Sequence, residues 1–177
     1  MNKVLVGVVV AVLLIGGGFY ALNSYIYEEK QAPAASDYRD AEFVIDGTRV
    51  ALGDSTRYFG NELKMDLNDD GREDVAFIIS HSGGGSGTFY YAVAALNTER
   101  GYVGSDGYLL GDRIAPQSTN VSPNPRHRGV VVFNYADRAE GEPMVASPSV
   151  GKSAYLKLNV DTMQWGIVEP DFEGEAR

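Results

Sequence analysis

The chain contains no cysteine. That absence removes disulfides, zinc–thiolate centres, thiol nucleophiles and the lipid-modified cysteine of a lipoprotein cleavage site. Histidine is nearly missing as well: His81 and His127 are the only two. Positive charge is scarce, with 15 Lys and Arg against 24 Asp and Glu and a net charge of −9. In the first 31 residues Lys3 and Lys30 cancel Glu28 and Glu29, so the whole excess belongs to the rest of the chain. No basic stripe interrupts it. Such a surface repels phosphate backbones and argues for no nucleic acid partner, while it favours divalent cations and basic proteins. Sustained helical periodicity is also lacking after residue 30, which turns the reading towards strands.

What is present begins with a long apolar run. Val4 to Leu22 (VLVGVVVAVLLIGGGFYAL) is nineteen residues without a charge. At about 1.5 Å per residue it just spans a hydrocarbon core of roughly 30 Å. Lys3 precedes it and Glu28 and Glu29 follow, so the positive-inside rule predicts a single-pass membrane protein with its C-terminal part outside the cytoplasm. Tyr20, Tyr25 and Tyr27 fall where headgroup-level aromatics are favoured. The alternative, a cleaved signal peptide, finds no clear A-x-A site after the run. The expected division is therefore a membrane anchor over residues 1–27, contacting the lipid bilayer through residues 4–22, a polar stalk over 28–37, an extracytoplasmic β-domain over 38–170 and an acidic tail over 171–177.

Within the outer part the signals are those of a mainly β fold, an antiparallel sandwich or meander preceded by that single transmembrane helix. Asp46-Gly47 between Glu42–Ile45 and Thr48–Leu52 predicts a tight hairpin. Val75–Ile79 and Thr88–Leu96 are near-continuous apolar runs, expected as central strands buried on both faces. The glycine-rich Ser80–Gly87 segment joins them as a hairpin loop. Further strands are expected at Tyr108–Leu110, Ile114–Val121, Val130–Tyr135, Tyr155–Val160 and Gln164–Val168.

One motif carries definite chemistry. Asp66-Leu67-Asn68-Asp69-Asp70-Gly71-Arg72-Glu73-Asp74 fits D-x-N-x-D-G-x-x-D. Calcium takes six to eight hard oxygen ligands. Asp66, Asn68 and Asp70 at positions 1, 3 and 5 of a tight loop, the Arg72 carbonyl at position 7 and Asp74 at position 9 form a candidate structural calcium site. Phe77 stands where an EF-hand has its bidentate glutamate, so this is a shorter loop of a different type. The competing reading is an Asx-rich turn whose side chains cap their own backbone.

The remaining candidates are weaker. The Gly83–Gly87 segment leads into Thr88-Phe89-Tyr90-Tyr91, a strand without a following lysine, which excludes a phosphate-cradling loop. No G-x-S-x-G elbow supports a serine nucleophile near His81, and both histidines read as surface-loop residues. Asp112-Arg113 and Asp137-Arg138 are expected to pair across neighbouring strands and fix register. Trp165 and the tyrosines read as core more readily than as a binding patch. Catalytic residues are not selected by any of these patterns.

The string MDLNDDGREDVAFIISHSGGGSGTFYYAVAALN, followed by GYLLGDRIAPQS, VVVFNYADR and GEPM, resembles a family of bacterial cell-envelope proteins with a membrane anchor or lipoprotein signal. The resemblance covers about residues 58–145. Some members of that family are joined to META-type and membrane-bound lysozyme-inhibitor modules. It implies an envelope location and the aspartate loop, and carries no catalytic residue across. The reading from sequence is thus a membrane-anchored extracytoplasmic binding or structural module of the envelope, stabilised by calcium. An inhibitor or recognition protein for a cell-wall-active enzyme such as lysozyme is the second class, and a hydrolase the third.

Overall fold

Eleven strands and one 3-10 turn organise residues 35–170, the part that the computed structural model describes. The apolar run Val4–Leu22 and the tail from Asp171 onward lie outside the described residues. Among the described residues, no helix is long and apolar enough to cross a membrane. The described part falls within one unit, Pro33–Arg177.

The strands are β1 (Phe43–Ile45), β2 (Thr48–Val50), β3 (Thr56–Met65), β4 (Asp74–His81), β5 (Phe89–Thr98), β6 (Gly101–Gly104), β7 (Tyr108–Asp112), β8 (Ala115–Val121), β9 (Val130–Asp137), β10 (Val150–Asn159) and β11 (Gln164–Ile167). They form antiparallel sheets: the β1–β2 hairpin, a five-stranded sheet in the order β3-β4-β5-β6 with β7 also on β5, and a four-stranded sheet in the order β11-β10-β9-β8. The hairpin turns at Asp46-Gly47, where both residues have positive φ, 49° and 78°. That is the geometry an Asp-Gly tight turn supplies at low cost.

Side-chain alternation explains how the layers stack. Ala76 and Ile78 of β4 with Ala92, Ala94 and Leu96 of β5 face Val131, Phe133, Leu156 and Leu158 of the four-stranded sheet. Their neighbours Val75, Phe77, Ile79, Tyr91, Val93 and Ala95 face the opposite way, against Ala41, Phe43 and Ile45 of the N-terminal hairpin region. So β4 and β5 are buried on both faces, as their unbroken apolar sequences predict. Phe77 is fully buried and meets Phe43 edge-on at 5.5 Å between ring centres. Removing a ring from such a place costs about 3–5 kcal/mol.

Strands β3 and β6 carry no clear sequence signal. In β3 the register slips twice, around Gly60 (φ 116°) and Asn61 (φ 52°), so its polar and apolar residues do not alternate cleanly. In β6 the sequence is half glycine, and the reason is close approach. A side chain on Gly104 would begin 2.1 Å from the Glu42 carbonyl, and one on Gly101 2.4 Å from that of Ala35. Strand β10 starts earlier than the expected Tyr155–Val160 and ends at Asn159, which leaves Val160 exposed.

Candidate functional site

The aspartate loop links β3 to β4 at one end of the sandwich. Its side chains fold back onto its own amides. Asp66 accepts from the Asp70 and Gly71 amides at 3.1 and 2.8 Å, Asn68 Oδ1 from the Asp70 amide at 3.1 Å, and Asp70 from the Arg72 amide at 2.8 Å. Asp69 and Gly71, with φ of 60° and 84°, make the reversal possible. Asp66, Asn68 and Asp70 are therefore brought together. Asn68 Nδ2 and the Arg72 guanidinium both donate to Asp70 Oδ2 at 3.1 Å, and Arg72 also reaches Glu99 at 3.3 Å. The Arg72 amide, joined by these two side-chain donors, holds the Asp70 carboxyl below its ordinary range.

Asp74 behaves differently. It is fully buried, with Oδ2 accepting from the Leu67 amide at 2.8 Å and Oδ1 from the Asn97 amide at 2.7 Å. One carboxylate thus staples the start of the loop to the end of β5. Burial raises its pKa, the two amides oppose that rise, and the charges of Asp70 and Asp66 add to it. The sequence held a signal for this inward turn: Asp74 shares the parity of Ala76 and Ile78, whose side chains enter the core between the two sheets.

Oxygen donors of the hardness that calcium prefers stand at Asp66, Asn68 and Asp70. Among the described residues, no three His, Asp or Glu side chains already form a metal-binding group. Asp74 has both oxygens engaged, and the Arg72 head group occupies Asp70. The donor chemistry fits a calcium ion on condition that Arg72 swings away. Asp66, Asn68, Asp70 and the Arg72 carbonyl would hold the ion, with Asp74 meeting it through a remaining lone pair or a water.

The opposite end of the sandwich gathers the other distinctive segments. The loop Ser82–Gly87 joins β4 to β5, and its ends are tied by Ser82 Oγ to Thr88 Oγ1 at 3.4 Å and by the Ser82 amide to the Ser55 carbonyl at 2.8 Å. Asp112 accepts from the Thr88 amide at 3.0 Å and from Arg113 Nε and Nη2 at 3.2 and 2.9 Å. Arg113 takes a positive φ of 49° to fold back on its own neighbour. Arg138 Nη1 donates to the Arg113 carbonyl at 3.0 Å, and Asp137 pairs with Lys152 at 2.8 Å. The expected cross-strand Asp–Arg pairs are thus replaced by a pair between sequence neighbours and by an Asp–Lys pair between β9 and β10. The Arg113 hydrogen bonds lower the Asp112 pKa, and the Lys152 hydrogen bond lowers that of Asp137.

Both histidines are tied to hydroxyls. His81 closes β4, with Nδ1 2.7 Å from Oγ1 of the buried Thr56. His127 lies between β8 and β9, with Nδ1 3.0 Å from Ser122 Oγ and its ring edge-on to Tyr155 at 6.2 Å. His81 thus belongs to a strand end rather than to the surface loop the sequence suggests, while His127 does lie in a loop, half-exposed. Among the described residues no carboxylate bonds to either ring to complete a nucleophile–base–acid relay. Trp165 packs edge-on against Phe133 at 5.8 Å, as core.

No family model matches the chain, and no curated protein or solved structure matches it either.

Proposed function

We propose that this chain is a membrane-anchored, extracytoplasmic binding or structural module of a bacterial cell envelope, with Asp66–Asp74 as a calcium-dependent brace. The observation that carries the proposal is the aspartate loop itself. Asp66, Asp69, Asp70, Glu73 and Asp74 stand within nine residues, while Arg72 is the one cation inside the segment. A hard cation in the loop relieves that repulsion and stiffens the link between β3, β4 and the end of β5. The uncharged run Val4–Leu22 and the charges flanking it support the anchor and its orientation. The two histidines stand at separate places, His81 on Thr56 and His127 between Ser122 and Asn124, and no carboxylate partners either ring among the described residues, an arrangement that suits a binding or structural role.

The test is a calcium and magnesium titration of the full-length chain in detergent, read by calorimetry and melting temperature. Expected is saturable calcium binding with a rise in Tm, as any ligand of the folded state alone produces. Asp66→Ala removes the rise and leaves the Tm in chelator less affected. An equal loss with and without calcium reduces the loop to a self-capped turn. Protease accessibility of intact cells against lysed cells tests the orientation separately, with cleavage of the β-domain expected in cells whose outer barrier alone has been opened.

A further inference from the structure

One face of the five-stranded sheet has a last row that is covered at its Thr56 end and open at Phe89, and its chemistry differs from the rows behind it. Cross-strand register sets Thr56, His81, Phe89 and Asp112 directly opposite one another on the face that the β1–β2 hairpin covers. The row behind it is Tyr58, Ile79, Tyr91 and Leu109. The hairpin reaches that row and stops, where Tyr91 donates to Asp46 of its turn at 3.2 Å. Beyond it Phe89 is 38% exposed, and within the covered row only Leu109, at the sheet margin, is 49% exposed. The glycine-rich loop frames the row. A side chain on Gly87 would begin 2.8 Å from the Phe89 ring, and one on Gly83 would begin 3.5 Å from His81 Nε2. Glycine is what lets the chain pass so close to the Phe89 ring at Gly87, while at Gly83 the approach to His81 is ordinary contact.

The polar groups of the row are already oriented. His81 Nδ1 is engaged by Thr56, which leaves Nε2 for another partner. Asp112 is held by the Thr88 amide and by Arg113 Nε and Nη2. Arg113 Nη1 has no acceptor among the described residues, and a carboxylate has lone pairs beyond those three donors. The Asp112 and Arg113 charges cancel. Arg138 behind them is engaged on the Arg113 carbonyl, and the nearby Lys152 on Asp137.

We propose that this shelf binds a sugar ring, with the Phe89 ring as the stacking platform and His81, Asp112 and Arg113 as partners for the hydroxyls. A pyranose presents an apolar C–H face and a rim of hydroxyls that both donate and accept. It matches an exposed aromatic ring set in a row of fixed donors and acceptors. An anionic ligand would have to compete with Asp112 for Arg113. A purely apolar ligand would cover His81 Nε2 and Arg113 Nη1 without giving either a partner, which disfavours it. The proposal deepens the reading of the chain as a binding module by naming a ligand class. Its failure is distinguishable from failure of that reading, because neither calcium binding nor membrane orientation involves the shelf.

The experiment titrates the full-length chain, in a sugar-free detergent, with chitotetraose, cellotetraose and maltotetraose, followed by calorimetry and by NMR shifts. Saturable binding of at least one oligosaccharide is expected, with Phe89 and Thr88 resonances perturbed. Phe89→Ala and Arg113→Gln each weaken it at least about tenfold, or 1.4 kcal/mol. Phe59→Ala, on the ring that meets Tyr90 on the other face at 5.4 Å, leaves the affinity unchanged. The Tm of Phe89→Ala stays close to that of the parent, so lost binding is not lost folding. Should Arg113→Gln unfold, His81→Gln takes its place with the same expected loss. Absence of binding to all three at about 10 mM, well above a millimolar Kd, overturns the proposal. So does equal affinity in Phe89→Ala.

Discussion

The two ends of this sandwich use charge in opposite ways. At the aspartate-loop end, like charges crowd together and are held by backbone amides, with Arg72 the one cation the loop itself supplies. At the glycine-rich end, opposite charges stand side by side and cancel, with aromatic and aliphatic surface exposed next to them. On the proposed reading the first arrangement takes a cation. The second has no charge to neutralise and suits a neutral ligand. A low-dielectric setting magnifies the contrast, since Asp74 is fully buried while Arg113 keeps 38% of its side chain exposed.

The contrast can be broken most strongly at Asp74. Asp74→Ala strips the partner from the Leu67 and Asn97 amides, and two orphaned amides, with Leu67 itself buried, cost about 3 kcal/mol together. Urea denaturation is expected to show that loss, and a variant within about 0.5 kcal/mol of the parent would mean the staple contributes little. Arg113→Gln at the other end breaks a half-exposed pair and is expected to cost no more than about 1 kcal/mol by the same measurement. Phe89→Ala is smaller still, under about 1 kcal/mol, because its ring is already partly in water.

Acid separates Asp74 from Asp112 and Asp137 by sign. Asp112 and Asp137 have lowered pKa values, so the stability they contribute is present above the ordinary carboxylate range and is lost as pH falls through their depressed values. Asp74 has a raised pKa, so the increment of stability that comes from its protonation is present below the ordinary value and is lost as pH rises through the raised one, while its bonds to the two amides remain. On acidification from neutrality, the Leu67 and Asn97 amide resonances are expected to shift first, and that of Thr88 only at lower pH. The reverse order would contradict the assignment of Asp74 as the desolvated group.

The same contrast explains what could be read before the structure. The aspartate loop is contiguous, so nine consecutive residues display its pattern. The tight turn at Asp46-Gly47 and the double-faced strands β4 and β5 are likewise local signals. The shelf is assembled from β3, β4, β5 and β7 by register, and no window of sequence brings Thr56, His81, Phe89 and Asp112 together. Register also decided the Arg113 pairing, because the left-handed turn at Arg113 returns the guanidinium to Asp112 rather than across the sheet. Strand β3 escaped notice for a similar reason: its two slips at Gly60 and Asn61 scramble the alternation on which strand recognition depends.

Strands β4 and β5 carry a further consequence, for the route to the native state. Val75–Ile79 and Tyr91–Leu96 are uncharged, rich in β-formers, and free of proline and glycine. Those are the features of segments that pair with copies of themselves when left open. In the finished fold the hairpin shields one side and the four-stranded sheet the other, yet β8 to β11 are synthesised last. Until β9 and β10 arrive, Ala76, Ile78, Ala92 and Ala94 have no opposing layer. A chain truncated before Val130 is therefore expected to aggregate, and the charged, turn-forming Asp66–Asp74 segment immediately ahead of β4 acts as its gatekeeper during that interval.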